Sequence, residues 1–296
     1  MSKSAILSSS IAKKYWMALT GLFLCLFLVG HLLGNLQLIF IGGEEGKLAF
    51  NEYAYFMTHN PLIKVMSYLT YLSILFHAID GFLLTIQNKK ARPVPYAYNK
   101  PAANSSTSSR YMALLGSLIL IFIVTHMANF WWKMKYSSDP MPLHQVTVTN
   151  PQSNAAETFY VTQTGDYVPT VAFAAEGNKP AAMEIRNGNE FYITEVNLKR
   201  GEGYKDLHSV VLAFFGHDKS KDGVPANEMA LFAVILYVVG MLVLAFHLWH
   251  GFSSAFQSLG VNHKRYNRMI ATAGKFFAVV IPALFAIIPI ILFLNK

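Results

Sequence analysis

The sequence predicts an all-α transmembrane protein: a five-helix bundle with a small β-rich extracytoplasmic insert between the third and fourth helices. Three observations carry this. The 296 residues are 53% hydrophobic and only 14% charged, whereas a soluble domain carries about 25% charged residues. The apolar residues gather into five runs, each long enough to cross a hydrocarbon core of roughly 30 Å. The net charge of +8 comes largely from basic residues in short loops between those runs, which the positive-inside rule explains. No nucleic-acid partner is therefore expected.

Residues 1–14 are polar and basic (Lys3, Lys13, Lys14), and Tyr15 and Trp16 mark an interfacial belt before the first run, 15–39. That run is too long for the apolar core of a cleaved signal peptide, and no small-residue cleavage site follows it. Residues 42–52 read as a loop with Glu44, Glu45 and Glu52 against Lys47. The second span, 62–86, is closed by Lys89, Lys90 and Arg92, and a Pro/Asn/Ser-rich loop leads to Arg110. The third, 111–130, ends in the aromatic anchor Trp131-Trp132-Lys133; the fourth is 229–252 and the fifth 276–294. The N-terminus, the second-to-third loop and the fourth-to-fifth loop (Lys264, Arg265, Arg268) hold the positive charge. That side is expected to be cytoplasmic, in the inner membrane, with Lys296 outside. Three regions follow: 1–135 with helices 1–3, the insert 136–226, and 227–296 with helices 4–5.

Within the insert, β-like runs at 145–149, 158–162 and 191–198 are separated by Asn, Gly and Pro turn signals. Residues 204–215 are more helical and are expected along the membrane surface.

Four of the apolar runs contain a histidine: His31, His77, His126 and His247. An imidazole at that depth costs free energy unless the bundle uses it. His31 follows Trp16, and His126 follows Tyr111, by about 22 Å of helix, so both lie toward the outer side. The second and fourth helices run inward, and about 22 Å and 27 Å bring His77 and His247 toward the inner side. Two levels of two imidazoles suit two stacked bis-histidine sites. Zinc would want four ligands at one depth. Haem iron carries four equatorial nitrogens of its own and asks for axial ligands only. The single Cys25 excludes thioether attachment and a cysteine-ligated iron–sulfur cluster, so the expected cofactors are two b haems. Each ligating imidazole needs its other ring N–H satisfied, as by a backbone carbonyl one turn earlier.

Gly21 and Gly116 stand at the same offset before His31 and His126, while Gly81 and Gly251 follow His77 and His247 by one turn. Residues without side chains let a flat macrocycle approach the backbone, and Gly21 and Gly116 are expected near the inner level. Small residues also promote helix contact in membranes, but two matched pairs favour the macrocycle. His250 competes with His247, one turn away. His59, His144, His208, His217 and His263 fall in loops or the insert and read as solvated.

At these residues the chain resembles the di-haem cytochrome b membrane anchor of succinate:quinone oxidoreductases, of the type with one large five-helix subunit. The resemblance rests on Thr-Gly-Leu-Phe-Leu-x-Leu-Phe-x-x-Gly-His ending at His31, Phe-His-Ala-Ile-Asp-Gly at His77 and Thr-His-Met-Ala-Asn-Phe-Trp at His126. Phe-His-Leu-Trp-His-Gly-Phe-Ser-Ser-Ala-Phe-Gln-Ser-Leu-Gly at His247 completes it, and coverage runs over 13–132 and from 204 to the C-terminus. The long insert departs from the compact members of the family. The resemblance implies that His77 and His247 ligate the haem nearer the cytoplasm and that His31 and His126 ligate the outer one. It makes His250 a neighbour near a propionate or quinone.

It also implies an oxidoreductase membrane subunit, of succinate dehydrogenase or fumarate reductase, without a dicarboxylate site of its own. Flavoprotein and iron–sulfur subunits would dock on the cytoplasmic face. Electrons would pass between them and membrane quinone, with menaquinone as the substrate. Glu44 and Glu52, with Glu45 beside them, are candidates for quinone proton transfer on the outer side, and Asp80 on the inner. Lys13, Lys14, Gln87 and Arg110 are candidate propionate donors. Two other readings stand beside this one: a di-haem cytochrome b of another quinone-linked dehydrogenase, and a non-haem transporter with a histidine proton relay.

Overall fold

The computed structural model describes residues 9–94, 97–98, 100–136, 141–177 and 179–296; the N-terminal Lys3 lies outside them. Among the described residues five helices are long and apolar enough to cross a membrane: α1 (Ser10–Phe40), α3 (Pro61–Lys90), the stretch Met112–Tyr136 that begins with α4 (Met112–Met127), α6 (Ala230–Ser258) and α7 (Lys264–Leu294). Helix α4 buries none of its residues, although it is almost wholly apolar. Leu114, Ile121 and Val124 on it are each more than half exposed. An all-round apolar helix with so little cover suits lipid as its solvent.

Each span is longer than its apolar run. Helix α7 begins at Lys264 rather than near residue 276, so Arg265 and Arg268 sit on helix and the preceding loop shrinks. It carries Pro282 and Pro289 within its length; each removes a ladder donor, which a bundle tolerates when neighbouring groups compensate. Helix α4 runs into a π-helical turn, Ala128–Trp132, and then into Lys133–Tyr136. The expected anchor Trp131-Trp132-Lys133 is therefore part of the helix.

The larger correction is α2 (Gly43–His59). Residues 42–52 form the first half of a helix, not a loop. Glu44 and Glu45 occupy its first turn, where acidic side chains complement the helix dipole. Its buried residues, Gly46, Lys47, Phe50 and Asn51, recur at helical spacing and face α5 (Leu207–Phe214).

The chain divides into two compact units. The first, Met1–Asn35, Pro61–Thr125 and Ile235–Ile290, holds most of the spanning helices. Cys25, Leu248 and Ala278, from α1, α6 and α7, are buried together there, with Leu28, Leu244, Phe252 and Phe277 against them. The second unit comprises Leu36–Asn60, His126–Val234 and Ile291–Lys296.

The insert in the second unit forms two antiparallel three-stranded sheets: β1 (Gln145–Thr149), β2 (Ala156–Val161) and β3 (Tyr167–Pro169), then β4 (Met183–Arg186), β5 (Glu190–Ile193) and β6 (Leu198–Glu202). Strand β1 has the predicted bounds. The expected run 191–198 is instead a hairpin, with the turn at Thr194–Asn197 between β5 and β6. Asn197 takes a left-handed φ of 51°, a conformation Asn tolerates better than most residues. Leu143, Val168 and Phe191 form the core, with Tyr160, Phe173 and Met183 around them.

Helix α5 is shorter than the helical segment read at 204–215, and it does not present one face to a membrane surface. His208 to Ala213 are all buried. Asp206 caps its N-terminus by accepting from the Ser209 amide at 3.0 Å. Its C-terminus closes in a paired 5→2 and 6→1 turn: Gly216 N–H donates to Ala213 O at 3.0 Å and His217 N–H to Leu212 O at 3.1 Å. Gly216 has φ +103°, which strains any residue with a side chain.

Candidate functional site

Within the first unit the structure brings together two of the four histidines. The rings of His77 on α3 and His247 on α6 lie 6.2 Å apart between centroids, inclined by 65°. His77 Nδ1–H donates to Met17 O of α1 at 3.1 Å, and the Thr20 hydroxyl lies 3.3 Å from the same nitrogen. The N–H is thus met by a backbone carbonyl, as expected of a ligating imidazole, but from the neighbouring helix rather than from its own preceding turn. His247 Nδ1 is buried and has no hydrogen-bond partner among the described residues. An unpartnered polar atom in apolar surroundings costs free energy, and a metal bond is one way to satisfy it.

The two glycines of the flanking helices abut these rings. A Cβ built on Gly21 would stand 3.0 Å from His77 Cε1, and one on Gly116 3.7 Å from His247 Cε1. These are the glycines that precede His31 and His126, and they stand at the His77–His247 level, as the depth count expects. A Cβ at Gly81 would meet nothing within 4 Å, and one at Gly251 only Met112 Cε at 3.7 Å. Gly21→Leu should displace the His77 ring, because even the Cβ contact is tighter than normal. If this pair holds haem, the variant should bind less of it with the helical content unchanged, read by absorption and circular dichroism.

Two imidazoles this close could together hold the iron of one haem. His77 and His247 would hold such a group. Bound haem would supply a one-electron iron couple.

His31 and His126 fall in different units. His31 stacks on Phe27 at 5.3 Å and tilts toward Phe285 at 5.6 Å. Asn35, one turn on, donates to His31 O at 2.8 Å, with its amide nitrogen 3.5 Å from His31 Nδ1. His126 meets the edge of Phe130 at 5.5 Å, at the approach to the π turn. Such turns recur at functional sites, and nothing in the local sequence announced this one. His250 is half-buried. Asp80 is partly covered, and Glu44 and Glu52 are exposed on α2. Arg110 is engaged with Ser105 O and Thr107 Oγ1.

A second constellation lies in the second unit, and the sequence reading missed it. Lys47, His144 and His208 are buried, not solvated. Lys47 Nζ lies 3.2 Å from Asp206 Oδ2 and 3.0 Å from Asp222 Oδ1. It also donates to Gln145 O at 3.2 Å. Asn51 Nδ2 donates to His144 Nδ1 and to Asp206 Oδ1, each at 2.9 Å, and Asn51 Oδ1 accepts from the His208 amide at 3.0 Å. Ser209 donates to Asp222 Oδ2 at 3.1 Å. The partners lie far apart in sequence, so no local pattern reveals them.

Burial opposes charge throughout this network. At Lys47 the two carboxylates outweigh burial and hold the ammonium above its ordinary range. At Asp222 burial is outweighed by Lys47, Gln145 and Ser209, and the carboxyl stays below its usual range. At His144 and His208 burial wins over the nearby Asp206, and each imidazole is pushed down to about 4 from an ordinary 6.5. The unfolded chain therefore binds protons that the folded chain refuses as pH falls from about 6.5 toward 4. Stability should fall across that window, by about 1.4 kcal/mol per unit of separation for each imidazole. The Lys47 contribution is lost only as pH rises above its ordinary 10.5. Thermal unfolding of the full chain between pH 8 and pH 4.5 checks this; a midpoint that does not fall on acidification contradicts it.

No family model, curated protein or solved structure matches the chain.

Proposed function

We propose that the chain is the di-haem cytochrome b membrane-anchor subunit of a succinate:quinone oxidoreductase. The observation that carries the reading is the His77–His247 pair, 6.2 Å apart with Gly21 and Gly116 against its rings. That spacing would let both imidazoles bind one iron. His31 and His126, on helices that run the other way, are assigned to a second haem at the outer level. The motifs around the four histidines, in order along four spans, support the family assignment.

In this reading the chain's own residues bind and orient. Met17 O fixes the His77 ring through its Nδ1–H, so the other nitrogen is left for a metal. The apolar helices keep water from the ligand level. The basic ends of α3 and α7 lie on the cytoplasmic side, where flavoprotein and iron–sulfur subunits dock, and the sheet-bearing insert lies outside. Membrane quinone, with menaquinone as the expected species, exchanges electrons and protons with the subunit. Glu44, Glu52 and Asp80 are its candidate proton groups.

Isolation of the tagged chain from its native membrane tests the assignment. Flavin-bearing and iron–sulfur subunits should accompany it, and succinate should reduce its b bands. A complex whose b bands respond to hydrogen or formate and not to succinate would assign the chain to another quinone-linked dehydrogenase.

A further inference from the structure

The second unit contains a pocket of about 320 Å³ that the proposed function leaves unassigned. Leu38 near the end of α1, Leu212 of α5, and Ile291 and Leu292 near the end of α7 form its apolar side. Lys47, His208 and Asp222 contribute its polar side, with Glu44, His217 and Lys219 around them. The volume lies at the small end of the range for small-molecule sites, and polar and apolar groups share its wall in nearly equal measure.

The site is built rather than incidental. His208 is only 8% exposed, its Nδ1 has no hydrogen-bond partner among the described residues, and the residue is part of the pocket's lining. Lys47, 4% exposed, is held in place by Asp206 and Asp222. His217 is delivered by the left-handed turn at Gly216, and its Nε2–H donates to Leu292 O at 2.7 Å. That bond ties the polar side of the pocket to the end of a spanning helix.

Charge decides what kind of head the pocket suits. Lys47 and Lys219 are balanced by Glu44 and Asp222, and the Lys47 ammonium is already committed to two carboxylates. An anionic phosphate would find no surplus positive charge. An uncharged ring with carbonyl or hydroxyl oxygens would find an imidazole able to hydrogen-bond it. The ends of α1 and α7 form the apolar side, so a tail could run along helices that cross the bilayer.

We infer that this pocket seats the ring of an uncharged amphiphile with hydrogen-bonding oxygens, His208 being the residue that recognises the ring. Naming that amphiphile a quinone rests on the proposed function; the pocket and its chemistry do not. Glu52 does not line the pocket, whereas His208 of the insert does.

Binding of 2,3-dimethyl-1,4-naphthoquinone to the full chain in lipid nanodiscs, followed by titration calorimetry, tests it. His208→Ala and Ile39→Trp, which fills the pocket from the α1 side, should each weaken binding at least tenfold. Ile39 is not in the buried network, so that variant answers the question even if His208→Ala fails to fold. Unchanged affinity in Ile39→Trp would overturn the inference. So would equal competition by phosphatidylglycerol, which would make the pocket a seat for anionic lipid. Absorption spectra of the same samples separate the two claims. Variant-sensitive binding without b bands would keep the pocket and remove the cytochrome reading; b bands with variant-insensitive binding would do the reverse.

Discussion

Replacing His77 or His247 with alanine should remove one of two b haems, while His250→Ala should leave both. The expected loss is about half of the reduced-minus-oxidised b absorbance in either single variant, since a haem held by two axial imidazoles depends on each of them. The geometry behind this is specific to the pair. The His77 and His247 rings lie 6.2 Å apart, and a Cβ at Gly21 or Gly116 would come within 3.0 or 3.7 Å of them. His250 is one turn from His247, and no ring contact joins it to His77 among the described residues. If His250→Ala lost a haem and His247→Ala kept it, the assignment of the fourth ligand would be wrong. If both single variants at the pair kept full haem content, the inner site itself would fall.

The second large effect belongs to the buried network. Lys47→Met should destabilise the protein by about 3–5 kcal/mol, the usual cost of removing one partner from a buried ion pair. Asp206 is 0% exposed, and without Lys47 its charge would keep only neutral donors, from Asn51 and Ser209. Asp206→Asn should cost less, because Lys47 retains Asp222 at 3.0 Å. Chemical unfolding of the full chain, with each variant beside the wild type, gives the comparison. A Lys47→Met change below about 0.5 kcal/mol, the scale of an ordinary surface substitution, would show that the network contributes little.

These two sites were unequally legible in the sequence. The spans and their histidines could be read because a lipid-crossing helix must be continuous and apolar, so a single imidazole stands out within it. The depth count then followed from helical rise alone, and it placed Gly21 and Gly116 at the level where the structure has them. The ends of the spans were less legible, since Lys264 to Lys275 continue α7 without being apolar.

Helix α2 was missed because its covering face is settled by a partner about 155 residues away, through Asn51 and Asp206. Acidic residues at Glu44, Glu45 and Glu52 made the stretch look like a solvated loop, although the first two are suited to a helix N-terminus. His144 and His208 were misread for the same reason. Charge and polarity are local properties of the chain, whereas burial depends on which distant groups arrive to pair them. Strand β1 was legible because its signals, alternating side chains bounded by turn residues, are local.

The most direct test of the central claim is a haem count on the purified wild-type chain. The account predicts two b haems per polypeptide, with reduced-minus-oxidised spectra and low-spin resonance signals of bis-imidazole ligation. A chain that folds, remains in the membrane fraction and carries no b-type absorption would contradict it.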